Sequence, residues 1–477
     1  MPRAPNREVS RKAFALMDGV SYLTSKTGEG RGTWDHAKDS LEHYDFIICG
    51  GGTAGCVLAR RLAENPDYKI LVLEAGYSDD VPSSKIPVSY MMKMETHADW
   101  AFKTVPQTHC GGRRMDQPRG KLLGGCSAIN AMMYHRGPAS DFDEWGRLGN
   151  DGWNFQECLR YFKKSETFND PDLPASHPQG PMTDRIRHAK YETHDPEYHG
   201  TEGPWQVTFH HLFDTSAKFI EANIEEGIPF NKDFNGASTI GTNRIQTFIQ
   251  RDAIRSSAAR AYLGGEGIVP GGGTSHRGLI RVVYGVDVQR VLVQMRRGVK
   301  MATGVEFLDH KNELRRVSAV KEVLLCGGAF GSPHLLLASG IGPTVQPGIP
   351  HVHHLPGVGR NLMDHLGLSV IFKASPKAHT LQKDMLAIFS SMFNYYARGK
   401  GPLSSQAGEA VNFVRLEDVA PEFVAREKAA GTWQDRTSGP ESPHLEIIFA
   451  PAYSRQHTKI QAPDGQNYYM MIALLLN

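Results

Sequence analysis

Cysteine and long apolar runs are both scarce in this 477-residue chain. The six cysteines form no Cys-x-x-Cys pair, which argues against a zinc site or a disulfide framework and favours a reducing compartment. No apolar run approaches the ~20 residues that span a bilayer, so we expect no membrane span. The first 43 residues lack the continuous apolar segment of a secretory signal, and an intracellular location is therefore expected.

A block of like charge is missing as well. The net charge is +2, and the 53 basic and 51 acidic residues are spread along the chain. Nucleic acid and anionic membranes are therefore not expected as partners. With 40% hydrophobic residues, the chain is long enough to bury a large core in two or three domains. These properties fit an enzyme-sized protein.

A glycine-rich turn between two apolar segments is the most informative motif. The segment from Tyr44 to Gly55 reads YDFIICGGGTAG, and the segment from Lys69 to Gly76 reads KILVLEAG. The pattern predicts a strand, a tight turn, a helix from Ala54 to Glu64 and a second strand that ends in an acid. This order is typical of a dinucleotide-binding unit, and a glycine turn in an ordinary α/β unit is the alternative.

Each glycine of this turn has a physical role in such a unit. Gly50 permits the tight turn, Gly52 lets the backbone approach a pyrophosphate, and Gly55 lets the helix pack closely on the strand. The phosphates would then lie on unpaired amides at the helix N-terminus. Glu74 follows Gly55 by nineteen residues, where a carboxylate can accept hydrogen bonds from both hydroxyls of the adenosine ribose.

A second glycine-rich stretch runs from Pro118 to Gly137. Its small residues, flanked by apolar ones, suggest backbone that lies directly against a flat ligand. A surface loop is the alternative for this stretch taken alone.

With these two stretches, the chain resembles the glucose-methanol-choline (GMC) family of flavin oxidoreductases along nearly all of its length. The further matching segments, in chain order, are Asp143–Trp145, Gly152–Asn154, His199–Pro204, Arg255–Ser257, Ala261–Leu263, Val323–Pro343 and Pro356–His365. The resemblance implies an α/β fold in which a Rossmann-like FAD-binding domain is joined to an α+β substrate domain built on an antiparallel sheet. It also implies oxidation of an alcohol or sugar hydroxyl by hydride transfer to FAD, with oxygen or another acceptor taking the electrons.

Matched position by position, the resemblance assigns three groups of residues to FAD. The pyrophosphate and ribose would be held by Gly50, Gly52, Thr53, Ala54, Gly55 and Glu74. The ribityl chain and the ring would lie along Arg119, Gly124, Gly125, Ser127, Asn130, Ala131, Met132 and Met133. The adenine and the rest of the dinucleotide would meet Val288, Gly327, Gly328 and Ala329.

Two of these positions carry further expectations. Val288 lies within a strand predicted from Arg281 to Leu292, and a plain core valine is the alternative to an adenine contact. Ile129 stands where some family members attach the flavin covalently through a histidine. We therefore expect FAD to be held non-covalently.

The family's proton-accepting histidine has no match in these 477 residues. In the family it lies on a C-terminal segment that returns to the flavin domain, so we expect a truncated chain with little alcohol-oxidising activity. The catalytic residue is left unassigned. His135, which follows Met132 and Met133, is the candidate substitute for this base. His351 and His353 are expected to be solvated strand residues rather than metal ligands.

Two other functions stay open at this point. A non-catalytic flavin-binding remnant would account for the missing base, and a light-driven fatty-acid decarboxylase belongs to the same family. The expected organisation has an N-terminal extension over 1–43 and a discontinuous FAD-binding domain over 44–150 and 244–345, whose C-terminal part is absent. The substrate-binding domain is expected over 151–243 and 346–477.

Overall fold

The computed structural model describes most of the chain. The described residues are 34, 43–169, 189–264, 274–275, 279–343, 348–375, 378, 380–381, 385–453 and 466–476, with backbone alone at 274–275 and 385–389. Most of the expected extension over 1–43 therefore lies outside the described residues. Among the helices described, none combines the length and the apolar character needed to cross a membrane.

Strands and helices alternate through the first part of the chain, and strands dominate the rest. The strands are β1 (Tyr44–Cys49), β2 (Ile70–Glu74), β3 (Phe102–Lys103), β4 (Asp116–Gln117), β5 (Met133–Tyr134), β6 (Glu166–Phe168), β7 (Trp205–Val207), β8 (Gly241–Arg244), β9 (Gln246–Thr247), β10 (Thr274–Ser275), β11 (Ile280–Tyr284), β12 (Asp287–Arg296), β13 (Val299–Leu308), β14 (Leu314–Leu325), β15 (Ile341–Gly342), β16 (His353–His354), β17 (Leu366–Lys373), β18 (Ala410–Val414), β19 (Leu445–Ala450) and β20 (Tyr468–Leu475). The α-helices are α1 (Thr53–Leu62), α2 (Pro82–Lys85), α3 (Ala139–Arg147), α4 (Phe155–Ser165), α5 (Asp214–Glu225), α6 (Gly328–Ala338), α7 (Met385–Arg398), α8 (Leu416–Val419) and α9 (Pro421–Ala429).

The larger sheet has seven strands in the order β10-β11-β2-β1-β14-β13-β12. Its centre, β11-β2-β1-β14, is parallel, and β14-β13-β12 form an antiparallel meander at one side. Alternate residues of β1 enter opposite core clusters: Ile48 packs with Cys56 of α1, and Ile47 packs with Leu335 of α6. Because both faces are covered, the central strands β1, β2 and β11 consist mainly of apolar residues.

The smaller sheet has five antiparallel strands in the order β17-β20-β19-β18-β8. On one face, Phe449 packs with Phe219 and Ile220 of α5. On the other face, Val411 and Phe413 pack with residues that include Met133 of β5, next to the second glycine-rich stretch. The expected combination of a Rossmann-like sheet with an antiparallel second sheet is confirmed.

The prediction of a single strand from Arg281 to Leu292 is wrong. The chain forms two strands, β11 and β12, separated at Gly285, whose φ is +65°. The Gly285 amide donates to the Gly76 carbonyl (3.0 Å), and the chain then turns so that β12 pairs with β13. A glycine in the left-handed region ends a strand more effectively than the apolar pattern extends it.

Candidate cofactor cleft and acid–base cluster

The first glycine turn has the geometry of a phosphate-binding turn. Gly50 has a φ of +104°, and a Cβ added there would lie 2.6 Å from the Cys326 carbonyl oxygen. A Cβ at Gly55 would lie 2.0 Å from the Gly50 carbonyl oxygen, so only glycine allows α1 to pack this closely on the turn. Thr53 and Ala54, which begin α1, are exposed. The N-terminus of α1 is therefore open to an anion.

Glu74 at the end of β2 is buried and bonded to this turn. One carboxylate oxygen accepts from the Gly51 amide and the other from the Gly76 amide, each at 2.8 Å. Burial raises the pKa of Glu74, and the backbone hydrogen bonds oppose that rise. A carboxylate has about four acceptor sites, so Glu74 keeps capacity for a further donor beside its backbone hydrogen bonds.

The second glycine-rich stretch docks directly on the first. The Gly124 amide donates to the Gly51 carbonyl (2.7 Å), and Thr53 Oγ1 donates to the Gly124 carbonyl (3.3 Å). Gly125 has a φ of +53°, and a Cβ there would lie 2.7 Å from the Gly52 Cα. Backbone thus meets backbone with no side chain between them, and a cleft lined by small residues results.

A third glycine-containing segment, Gly327 and Gly328 at the N-terminus of α6, completes the cleft. A Cβ at Gly50 would lie 3.2 Å from the Gly327 amide, so this segment lies beside the first turn. Gly328 has a φ of +73°, and a Cβ there would meet nothing within 4 Å. Gly327, Gly328 and Ala329 are all exposed. Two helix N-termini, those of α1 and α6, therefore converge on one open cleft.

The remaining residues that the sequence assigns to FAD differ in exposure. Asn130 is exposed, and Arg119, Ala131, Met133 and Val288 are half-buried. Ser127 and Met132 are buried.

Two of these residues have defined surroundings. The Ser127 hydroxyl donates to the Gly124 carbonyl (2.6 Å) and accepts from the Ala258 amide (2.9 Å), so it shapes the loop from inside. Val288 packs against the core cluster that contains Phe307.

Arg255 holds the second stretch in place, a role that the sequence pattern does not indicate. Its Nη1 donates to the carbonyls of Ser127 (3.2 Å) and Asn130 (2.8 Å) and to Asn130 Oδ1 (2.9 Å), and its Nε donates to the Ser84 carbonyl (3.1 Å). The side chain is fully buried, and burial lowers the pKa of Arg255 to about 9. An arginine placed between two small-residue segments was the available signal, but the sequence does not show that its partners are carbonyls.

Near the end of the second stretch, His135 faces Glu446 of β19. His135 Nε2 lies 3.8 Å from Glu446 Oε1, and the His135 ring contacts Phe413 edge-on at 5.4 Å. Burial, with a smaller effect of His365, lowers the pKa of His135 to about 4, so the ring is neutral at pH 7. Burial raises the pKa of Glu446 to about 7. The sequence pattern indicates His135 as a candidate but not Glu446.

A buried ionic network lies behind this cluster. His199 Nδ1 is 2.7 Å from a Glu166 oxygen, and His199 Nε2 is 2.8 Å from an Asp233 oxygen. The other Glu166 oxygen accepts from Arg136 Nη2 at 2.7 Å. Burial alone would lower the pKa of His199, but its bonds to the two carboxylates outweigh that effect and raise it. The network ties Arg136, at the end of the second stretch, to three separate segments.

The histidines considered as metal ligands do not form a ligand cluster in the described part of the chain. His351, His353 and His354 are exposed, and the His351 and His354 rings are 6.5 Å apart. Glu417, Asp435 and His444 do approach one another within 4.8 Å. Arg415 donates to both of those carboxylates, at 3.3 and 2.6 Å, and already supplies a positive charge there.

A parallel sheet whose first strand ends in a glycine turn before a helix defines a dinucleotide-binding fold. The chain belongs to the GMC oxidoreductase family, since the family model described as "GMC oxidoreductase" matches residues 44–367.

Curated relatives include an oxygen-dependent choline dehydrogenase of Vibrio vulnificus, 39% identical over 68% of this chain and 53% of that protein. An alcohol dehydrogenase [acceptor] of Pseudomonas putida is 32% identical over 91% of this chain and 70% of that protein. The chain thus spans from about half to 70% of the length of these two relatives.

Solved structures show the same fold over nine-tenths of the chain. A formate oxidase crystal structure superposes with a TM-score of 0.75 and 27% identity, covering 91% of this chain and 73% of that one. An FAD-dependent oxidoreductase from Chaetomium thermophilum gives a TM-score of 0.75 and 26% identity, covering 90% of this chain and 74% of that one.

Proposed function

We propose that this protein binds FAD in the glycine-lined cleft and oxidises a CH–OH group of a small alcohol. The observation that carries the proposal is the convergence of the α1 and α6 N-termini on a cleft next to the buried carboxylate of Glu74. The helix N-termini suit a pyrophosphate, and the remaining acceptor capacity of Glu74 suits a ribose hydroxyl. Bound FAD would supply the acceptor for a hydride from the alcohol carbon.

Residues of the cleft have distinct tasks in this proposal. Gly50, Gly52, Thr53 and Ala54 would present amides to the pyrophosphate. The loop around Asn130, fixed by Arg255, would hold the flavin ring in place. Oxygen or another acceptor would then take the electrons.

The flavin would be held without a covalent bond. Ile129, at the position of the family's covalent histidine, is buried in a cluster with Ala98, Leu122 and Ala128. An apolar side chain in a packed core offers no nucleophile to the flavin. We base the proposal of non-covalent binding on the identity of Ile129 and on the burial of its side chain in this core cluster.

The test is reconstitution of the purified 477-residue chain with FAD. We expect absorption bands near those of oxidised flavin, and release of the colour into the supernatant on acid precipitation. Colour that stays with the precipitated chain would contradict non-covalent binding. A chain that takes up no FAD would contradict the cofactor assignment and favour an inert remnant of the family.

A further inference from the structure

Arg255 is a fully buried cation that forms no ion pair with a carboxylate in the described part of the chain. Buried charges are normally paired, because an unpaired one destabilises the folded state. Arg136 follows this rule, with Nη2 at 2.7 Å from a Glu166 oxygen. Arg244 also follows it, with Nη1 at 2.7 Å from a Glu192 oxygen. An unpaired buried charge therefore needs a functional explanation.

The surroundings of Arg255 orient its guanidinium but leave most of its charge uncompensated. All of its hydrogen bonds go to neutral oxygens, and Nη2 is enclosed and donates none. Burial raises the pKa of the nearby Tyr90 hydroxyl to about 12, so Tyr90 is neutral at pH 7. Asp79 attracts Arg255 from farther away, but its carboxylate accepts from Ser257 Oγ and also attracts Arg260.

This cation lies directly behind the loop that we assign to the flavin ring. Arg255 Nη1 donates to the Asn130 carbonyl and to Asn130 Oδ1, at 2.8 and 2.9 Å, and Asn130 is exposed at the cleft. Asn130 Oδ1 also accepts from the amide of Met132 (3.1 Å), whose φ of +59° is left-handed. In the proposed function, one layer of loop backbone would separate the guanidinium from the ring.

We propose that the positive charge of Arg255 stabilises the negative charge of reduced FAD and so raises the reduction potential of the bound cofactor. This inference rests on the proposed function and deepens it. A hydride brings two electrons and one proton to the neutral oxidised ring, so the reduced ring carries one negative charge. A fixed cation in a buried site favours that form over the neutral one, since salt screens buried charges only weakly.

The first test compares the two redox states of FAD on the parent chain and needs no alcohol. The potential of bound FAD is measured under anaerobic conditions against a reference dye, with dithionite as the reductant. Even at about 10 Å, one unit charge shifts an equilibrium by roughly tenfold in a protein site. We therefore expect reduced FAD to bind at least about tenfold more tightly than oxidised FAD, which places the potential about 30 mV above that of free FAD.

The second test changes the charge of residue 255. In Arg255→Met the preference for reduced FAD should fall by about tenfold or more. In Arg255→Lys it should stay within about threefold of the parent value, because an ammonium group can donate to the same carbonyls. A loosened loop would weaken the binding of both redox states together, whereas loss of the charge changes their ratio.

Arg296→Met is the matched control, since Arg296 is exposed at the end of β12. It removes the same charge from the surface, where solvent and salt screen it, and should leave the ratio unchanged. Circular dichroism checks that each variant is folded. The parent measurement decides the matter if Arg255→Met does not fold, because a parent potential at or below that of free FAD would overturn the inference.

The other outcomes bear on separate claims. A folded Arg255→Met with the parent ratio, or an Arg255→Lys that behaves like Arg255→Met, would overturn the role of the charge and leave FAD binding standing. A parent chain that takes up no FAD would overturn the proposed function and this inference with it. A parent with the expected potential that is reduced by no alcohol would overturn alcohol oxidation alone.

Discussion

Glu74 combines two tasks in one carboxylate. Its oxygens hold the amides of Gly51 and Gly76, and in our proposal the same oxygens meet the ribose. In Glu74→Gln, the side-chain NH₂ would face one of these backbone N–H groups, so one hydrogen bond becomes a repulsive contact. We expect FAD binding to weaken by roughly 1–3 kcal/mol, measured by fluorescence titration of the flavin.

The control for this prediction is Glu226→Gln, at an exposed position after α5. It removes the same charge from the chain without touching the cleft. Unchanged FAD affinity in Glu74→Gln would remove the ribose assignment.

Gly125 is a glycine of the second stretch that lies directly against the first turn. In Gly125→Ala the new Cβ would lie 2.7 Å from the Gly52 Cα, at a residue whose φ is +53°. The loop must move away from the turn, and we expect a loss of roughly 2–5 kcal/mol in unfolding free energy together with weaker FAD binding. Urea unfolding and flavin titration measure the two effects.

Gly112→Ala separates the backbone cost from the clash. Gly112 has a φ of +71°, and a Cβ there would meet nothing within 4 Å. It should cost only the roughly 1–2 kcal/mol of a left-handed residue and leave FAD binding unchanged. Equal effects of the two substitutions would mean that the contact between Gly125 and Gly52 does not shape the cleft.

Among the structural elements, the segments joined by His199 give a prediction about pH. The pKa of His199 is raised in the folded state, so its contribution is complete below the unfolded value near 6.5 and is lost as pH rises through the folded value. We expect His199→Gln to lose about 3–5 kcal/mol of unfolding free energy at pH 6, with a smaller loss at pH 9. Urea unfolding of both proteins at several pH values measures this difference.

His109→Gln is the matched control, since His109 is exposed. Its unfolding free energy should stay within about 0.5 kcal/mol of the parent at each pH. A difference between the parent and His199→Gln that grows with pH would contradict a charged imidazole in the network.

The sequence predicted the elements whose signals are local. The run from Tyr44 to Gly55 carries its own strand, turn and helix signals, and the helix begins at Thr53, within one residue of the expected start. The break at Gly285 was missed because apolar residues on both sides suggested one strand. Glycine can occupy the interior of a strand, but it can also adopt a φ of +65°, as Gly285 does, and thereby end the strand. The sequence alone does not distinguish these two cases.

The parts of the site that depend on distant residues could not be predicted from the sequence. Arg255 and Asn130 are separated by 125 residues, and their contact depends on the docking of two loops. Glu446 was missed because a glutamate within a strand normally lies on a solvated face. Only the pairing of β19 with two neighbouring strands, together with the loop above it, encloses this side chain.

At the scale of the whole molecule, the edge of the smaller sheet is apolar and exposed. Leu366, Leu368, Val370 and Phe372 alternate along β17, and their exposed fractions are 58%, 66%, 45% and 39%. An exposed apolar edge strand can pair with another chain. We therefore expect the 477-residue protein to self-associate, and Leu368→Lys to reduce that association. Sedimentation velocity over a range of concentrations measures it.

Leu148→Lys is the control for a general gain in solubility. Leu148 is 71% exposed, close to the value for Leu368, but it lies at the end of α3 and away from any sheet edge. Equal reduction of self-association by both substitutions would mean that added charge, and not the edge of β17, is responsible.

The clamp formed by Arg255 also determines when the cleft can be completed during synthesis. The carbonyls that it holds belong to residues made 125, 128 and 171 positions earlier. At a ribosomal rate of about 5–20 residues per second, Arg255 is synthesised about 6–25 s after the second glycine-rich stretch that it holds in place. A nascent chain therefore carries the complete glycine turn and Glu74 long before the loop beside them is fixed. If FAD binding requires the fixed loop, as our proposal implies, it can begin only after Arg255 has been synthesised.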